Sequence, residues 1–84
     1  MKNLERVTRE SVDGQSLLYL SYKSGAALTR TIDATATGSV AIDVDAAGDT
    51  VGIELLAPGV DDIETLTRIA RERDLSLDGL FSFA

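Results

Sequence analysis

The chain contains no cysteine and no histidine, and its 84 residues include one proline, two tyrosines and two phenylalanines. Without cysteine there is no disulfide to staple a small fold, no thiol nucleophile, and no thiolate for zinc or an iron–sulfur cluster. Without histidine the commonest general base is missing, along with most nucleophile–base pairs and imidazole metal sites. The expectation is a protein that is not an enzyme and carries no cofactor. Long apolar runs are absent too. None approaches the roughly 20 residues that span a bilayer, and the opening MKNLERVTRE lacks the apolar centre of a signal peptide. A soluble, cytoplasmic protein with no membrane partner is expected.

Positive charge is scarce: 8 Lys and Arg stand against 14 Asp and Glu, a net charge of −6. That balance argues against a partner held through phosphate contacts, so no nucleic acid is expected. The imbalance is uneven along the chain. Residues 1–30 carry Lys2, Arg6, Arg9, Lys23 and Arg30 against Glu5, Glu10 and Asp13, whereas residues 31–84 hold only Arg68, Arg71 and Arg73 against the remaining acids. Solubility explains this most simply; head-to-tail contact between copies is the other reading.

A chain this short makes one domain, 1–84, and buries only about 60–65% of its unfolded surface. Its first two-thirds reads as strands separated by turn residues. Asp13-Gly14 is the two-residue signal of a type I′ hairpin, because both residues tolerate positive φ. SLLYLSY follows, rich in residues that suit a pleated surface. AALTRTI, residues 26–32, is a third candidate strand, closed by the small-residue stretch DATATGS. Val40, Ile42 and Val44, and then Val51, Ile53 and Leu55, alternate with smaller or polar residues at period two. If Asp45 to Gly48 form the loop, Val44 faces Asp49, Ile42 meets Val51 and Val40 meets Ile53.

After Pro58-Gly59 the period changes. Ile63, Leu66, Ile69 and Ala70 recur at helical spacing, so an amphipathic helix is expected over 60–74. Asp61 reads as its N-cap with Glu64 three positions on, and arginines near its end complement the dipole. The tail, 75–84, holds Leu75, Leu77, Leu80 and both phenylalanines, Phe81 and Phe83. It reads equally as a strand or as a short helical turn. The fold class is therefore α+β: an antiparallel sheet of about five strands over residues 1–57, one helix packed on it, and a packed apolar tail.

One stretch imitates chemistry. DVDAAGDTVGIE, residues 43–54, matches the calcium-loop pattern at Asp43, Asp45, Gly48 and Glu54, and misses at Ala47. A calcium loop of this kind needs a helix on either side, and both flanks alternate as strands do. With Asp43 opposite Thr50 and Glu54 opposite Ser39, the two carboxylates would lie on the order of 13 Å apart along the ladder. The match reads as coincidence. A looser version is a weak divalent-cation site at Asp45 and Asp49, flanking the turn.

VAIDVDAAGDTVGIELL, residues 40–56, resembles the signature of a small prokaryotic family, domain of unknown function 2283. LLYLSY, residues 17–22, is similar to that family's Leu-Tyr-Ile segment. The likeness covers roughly residues 13–57. It departs at Ser16, where the family has an aspartate, and at Ala57-Pro58. The resemblance implies a small antiparallel sheet with a helix packed on it and no established activity. It also hints at an antitoxin-like or adaptor role, since members are similar to proteins encoded beside small toxin-like partners.

The other candidates read as structure. Asp43 with Asp45, or Asp61 with Asp62, could serve as carboxylate pairs, but a small sheet-plus-helix domain offers little cleft for a substrate. Tyr19 and Tyr22, three apart, point to opposite strand faces, one core and one half-exposed. Gly52 marks a close approach, for which helix packing is the expected cause. IARERDLSLDGLFSF resembles a helix-turn-helix only loosely, without a base-reading arginine or asparagine in its second half. Leu56, Leu80, Phe81 and Phe83 exceed what one sheet face and one helix need, and surplus apolar surface marks an interface. The expected function is a non-catalytic protein-interaction module. It is expected to form a homo-oligomer, most simply a dimer joined through the tail or a sheet edge, with a further protein partner encoded nearby. The alternative is a weak divalent-cation or small-ligand binder using the acidic turn at residues 45–49.

Overall fold

A computed structural model describes residues 1–80 of the chain. The described residues form an α+β domain. Five strands, β1 (Arg6–Val12), β2 (Gln15–Ser21), β3 (Arg30–Asp33), β4 (Val40–Val44) and β5 (Thr50–Leu56), precede one helix, α1 (Val60–Arg73). The strands form one antiparallel sheet in the order β1-β2-β5-β4-β3. A hairpin, β1-β2, thus lies beside a three-strand meander, and residues 22–29 carry the chain from the middle of the sheet to its far edge.

Local chemistry accounts for the first hairpin. Asp13 and Gly14 have φ of 51° and 80°, as a two-residue turn requires, and Val12 pairs with Gln15 across it. The third strand begins later than the expected 26–32. Arg30 pairs with Val44, the last residue of β4, so residues 26–28 have no ladder to join.

The β4–β5 register also differs from expectation. Five residues, Asp45 to Asp49, separate Val44 from its partner Thr50, and a bulge beside Asp43 skips Val51. Ile42 therefore meets Ile53 and Val40 meets Leu55. Beyond the bulge the shift is two residues, so Val40, Ile42, Ile53 and Leu55 keep their faces while changing partners. Thr50, expected opposite Asp43, instead meets Val44 and accepts from Arg73 of α1 at 3.3 Å. The out-of-register Val51 carbonyl accepts from the N–H groups of both Tyr22 and Lys23, at 2.8 and 3.2 Å.

Leu20, Tyr22, Val40, Ile42, Val44, Ile53 and Leu55 make one side of the core, and Leu66, Ile69, Ala70 and Leu75 close it. Ile63, expected in the same stripe, stands 57% exposed. The helix also starts earlier than the Asp61 cap would place it. Gly59 is the N-cap, and its N–H donates to the Asp62 carboxylate at 2.8 Å. Asp62, not Glu64, is the acid at the third helical position, because the helix begins at Val60 directly after the extended Gly59. At the far end Asp74 adopts φ 56° and its N–H reaches the Ala70 carbonyl.

The stretch after α1 is tied to the start of the chain. Lys2 N–H donates to the Asp74 carbonyl at 2.9 Å, Ser76 N–H donates to the Lys2 carbonyl at 2.8 Å, and Lys2 and Leu75 form a parallel bridge. Leu75 is buried, and Leu77 and Leu80 pack half-buried against the core. Between them Asp78 and Gly79 form a turn, with the Leu80 N–H donating to Leu77 at 3.1 Å. Among the described residues of the tail, Leu75 alone is bridged as a strand residue would be. Phe81 and Phe83 lie outside the described residues.

Candidate functional site

Three places gather the residues that the sequence singled out. The first is the sheet face away from α1. Because β4 alternates, Asp43 points to this face, where it is buried to 8% exposure. Its carboxylate accepts from Tyr19 Oη at 2.8 Å on one oxygen and from Thr31 Oγ1 at 2.7 Å on the other. Tyr19 crosses β5 to make this bond, lying flat over Gly52. The close approach expected at Gly52 is therefore real, but its cause is Tyr19 on the open face and not the helix. Glu54 pairs with Tyr19 in the ladder. Burial first, then the hydrogen bond to Asp43 and the charges of Asp43 and Glu54, hold the Tyr19 phenol well above the ordinary tyrosine range. The phenol stays a neutral donor at any physiological pH. With Asp43 opposite Gly52 and Glu54 opposite Ala41, these acids are diagonal neighbours, so the 13 Å separation expected of them does not hold. What opposes a calcium loop here is the partnering: two hydroxyls already take the Asp43 oxygens.

The second place is the acidic turn. Lys23 Nζ donates to Asp45 Oδ2 at 2.6 Å and lies 3.6 Å from Asp49 Oδ2. Asp45 Oδ1 accepts from the N–H groups of Ala47 and Asp49, each at 3.0 Å. The ammonium of Lys23 thus stands where a cation would, and Asp45 braces the loop. Asp43 and Asp45 are held by separate partners, not as a pair. The Lys23 bond, opposed next by burial and then aided by the backbone N–H groups of Asp49 and Ala47, lowers the Asp45 carboxyl below its ordinary 3.8. The same bond raises the Lys23 ammonium. A lowered carboxylate stabilises the fold above its unfolded value, and that contribution disappears as pH falls through the folded value. Accordingly, Lys23→Met is expected to melt below wild type near pH 7, with the gap closing as pH drops below 3.8. Melting curves at several pH values check this; a gap that persists at pH 2 would contradict it. Calcium titrated calorimetrically is expected to give no binding heat at micromolar affinity, because the ion must displace Lys23. Among the described residues no group of three or more acidic side chains converges on one point.

The third place is apolar and was only partly legible. Residues 60 and 63 of α1, with Thr67, lie on a helix flank beside the stripe that meets the sheet. Val60 is 81% exposed and Ile63 57%. With Leu18 and Leu55 from the sheet, Pro58, and Leu77 and Leu80 from the last described turn, they line a groove of about 560 Å³ whose wall is almost wholly apolar. Asp61 and Glu64 beside it on α1, and Asp78 beside Leu77, are exposed acids. Of the expected interface residues, Leu80 lies in this groove. Leu56 lies elsewhere, opposite Leu17 on the face away from α1, so the two do not share a patch. The signal for the groove was present as Val60, one turn before Ile63, but period alone could not show that both stay exposed.

These elements define a class: a five-stranded antiparallel sheet with one helix on one face and a polar nest on the other. No helix among the described residues is long and apolar enough to cross a membrane. Comparison with models of known families, with curated proteins and with solved structures finds no match.

Proposed function

We propose that the chain is a non-catalytic, oligomeric protein-interaction module, and that the groove at the start of α1 receives an apolar stripe of a basic partner protein. The observation that supports this is the pair Val60 and Ile63. Two large apolar side chains stand exposed beside a concave apolar wall, a concentration that a small soluble surface rarely leaves uncovered. The acids at residues 61, 64 and 78, on a chain of net charge −6, favour positive charge around that stripe. An antitoxin-like or adaptor role, and kinship with domain of unknown function 2283 through residues 13–57, fit this reading as proposals of the same standing. A divalent-cation role for Asp45 and Asp49 is less favoured, because Lys23 already neutralises them.

The test compares tagged wild type with Val60→Asp/Ile63→Asp in pull-downs from the native cells. Both residues are exposed, so the variant is expected to melt within about 0.5 kcal/mol of wild type. A stoichiometric basic protein is expected with wild type, its affinity falling at least roughly tenfold in the variant. A partner retained undiminished by the variant, or none with wild type, overturns the groove assignment.

A further inference from the structure

The edge strand β1 carries a charge order that is complementary to itself. Among the described residues it has a neighbour on one side only, β2, and six of its seven residues are exposed. Because Val12 and Gln15 flank a two-residue turn, they form a hydrogen-bonded pair, as do Glu10, Thr8 and Arg6 with their partners in β2. Val7, Arg9 and Ser11 therefore direct their N–H and C=O groups outward, away from the sheet. Arg6, Thr8 and Glu10 project from the open face, where they line one shallow depression. Within the chain the ladder partners of Arg6 and Glu10 are Ser21 and Leu17, and neither charge makes an ion pair among the described residues.

We infer that two copies of the chain join β1 to β1, antiparallel, with Thr8 opposite Thr8 of the second copy on the two-fold axis. This rests on the homo-oligomer reading above and names its surface. In that register Arg6 of each copy lies opposite Glu10 of the other, twice over. Val7 and Arg9 exchange backbone hydrogen bonds in both directions, so the outward groups are used. Neighbouring registers that keep outward groups facing each other are worse. Centring on Arg9 opposes two arginines, centring on Glu10 opposes two glutamates, and centring on Val7 leaves only Arg6 to Thr8 overlapped. Parallel pairing cannot obey a two-fold axis normal to the sheet. The far edge, β3, is only 4 residues long and offers a poorer template. The result is a continuous ten-stranded sheet with both helices on one side, which leaves both apolar grooves free.

Charge reversal and cross-linking test this on the full chain. Sedimentation equilibrium is expected to show a dimer for wild type. Glu10→Arg should weaken it at least roughly tenfold, since two attractive pairs become repulsive. Arg6→Glu/Glu10→Arg should restore it, because the swap preserves complementarity in this register alone. The chain has no native cysteine, so Thr8→Cys gives an unambiguous second reading. Opposed Thr8 positions in a non-hydrogen-bonded pair have Cα atoms about 4.5 Å apart, within disulfide reach. Thr8→Cys should therefore oxidise to a covalent dimer, and Val12→Cys should not. A dimer that ignores charge reversal and does not cross-link at residue 8 overturns the β1 assignment alone. A wild-type monomer at all accessible concentrations overturns it together with the oligomer reading.

Discussion

Gly52→Ala is expected to destabilise the domain by about 3 kcal/mol, which lowers the melting temperature by roughly 15 °C for a chain of this size. A methyl group at residue 52 collides with the ring and hydroxyl of Tyr19, which lies across β5 at that point. Two costs then add. Overpacking against a ring that has little room to retreat costs about 1–3 kcal/mol. Displacing the ring also removes the 2.8 Å bond from Tyr19 Oη, leaving the buried Asp43 carboxylate with Thr31 as its remaining side-chain donor. The measurement that isolates this cause is a double-mutant cycle by urea denaturation. In a Tyr19→Ala background the obstacle is gone, so Gly52→Ala should become neutral or mildly stabilising, alanine being less costly than glycine in a strand. An equal loss in both backgrounds would mean that Gly52 is needed for its backbone and not for Tyr19.

Tyr22→Ala should cost about 3–5 kcal/mol, and it is expected to leave much of the protein unfolded, since domains of this size have only several kcal/mol in hand. Tyr22 is 2% exposed and sits among the sheet residues under α1. Its hydroxyl donates to the Ser76 carbonyl at 2.8 Å, so one side chain joins the core to the segment following the helix. Tyr22→Phe separates the two roles. It keeps the ring and removes the anchor, at about 1 kcal/mol. Hydrogen exchange should then quicken at the amides of Leu75 and Ser76 more than in the sheet. Uniform acceleration would show that the bond has no local role. Burial raises the Tyr22 phenol to about 12 from its ordinary 10. A raised value means that this group's stabilisation is whole below pH 10 and is lost as pH climbs through 12. That part of the alkaline loss should be missing from Tyr22→Phe.

Much of this architecture follows from local rules acting on short stretches. Asp13-Gly14 sets the first hairpin because those residues accept the required φ, and period two in residues 40–44 and 51–55 selects the buried face of β4 and β5. The opposite orientations of Tyr19 and Tyr22 follow from the same alternation, and Leu66, Ile69 and Ala70 mark the buried side of α1. These are properties of one residue or one repeat, and no distant contact is needed to read them.

Tertiary structure decided the rest, each time because two remote segments had to meet. The bulge at Val51 and the two-residue shift of register preserve the alternation, so pattern alone cannot detect them; they depend on how β5 fits between β2 and β4. Gly52 announced a close approach, but only the strand order makes Tyr19 the side chain that crosses it to Asp43. Lys23 neutralises the turn acids because β2 ends beside the β4–β5 loop, 22 positions away from Asp45. Ile63 obeys the helical period yet stands largely exposed, on the wall of a groove shared with Leu18 and Leu55 of the sheet. Periodicity names the side a residue would bury; whether anything lies there to bury it against is settled by the packing of the whole domain.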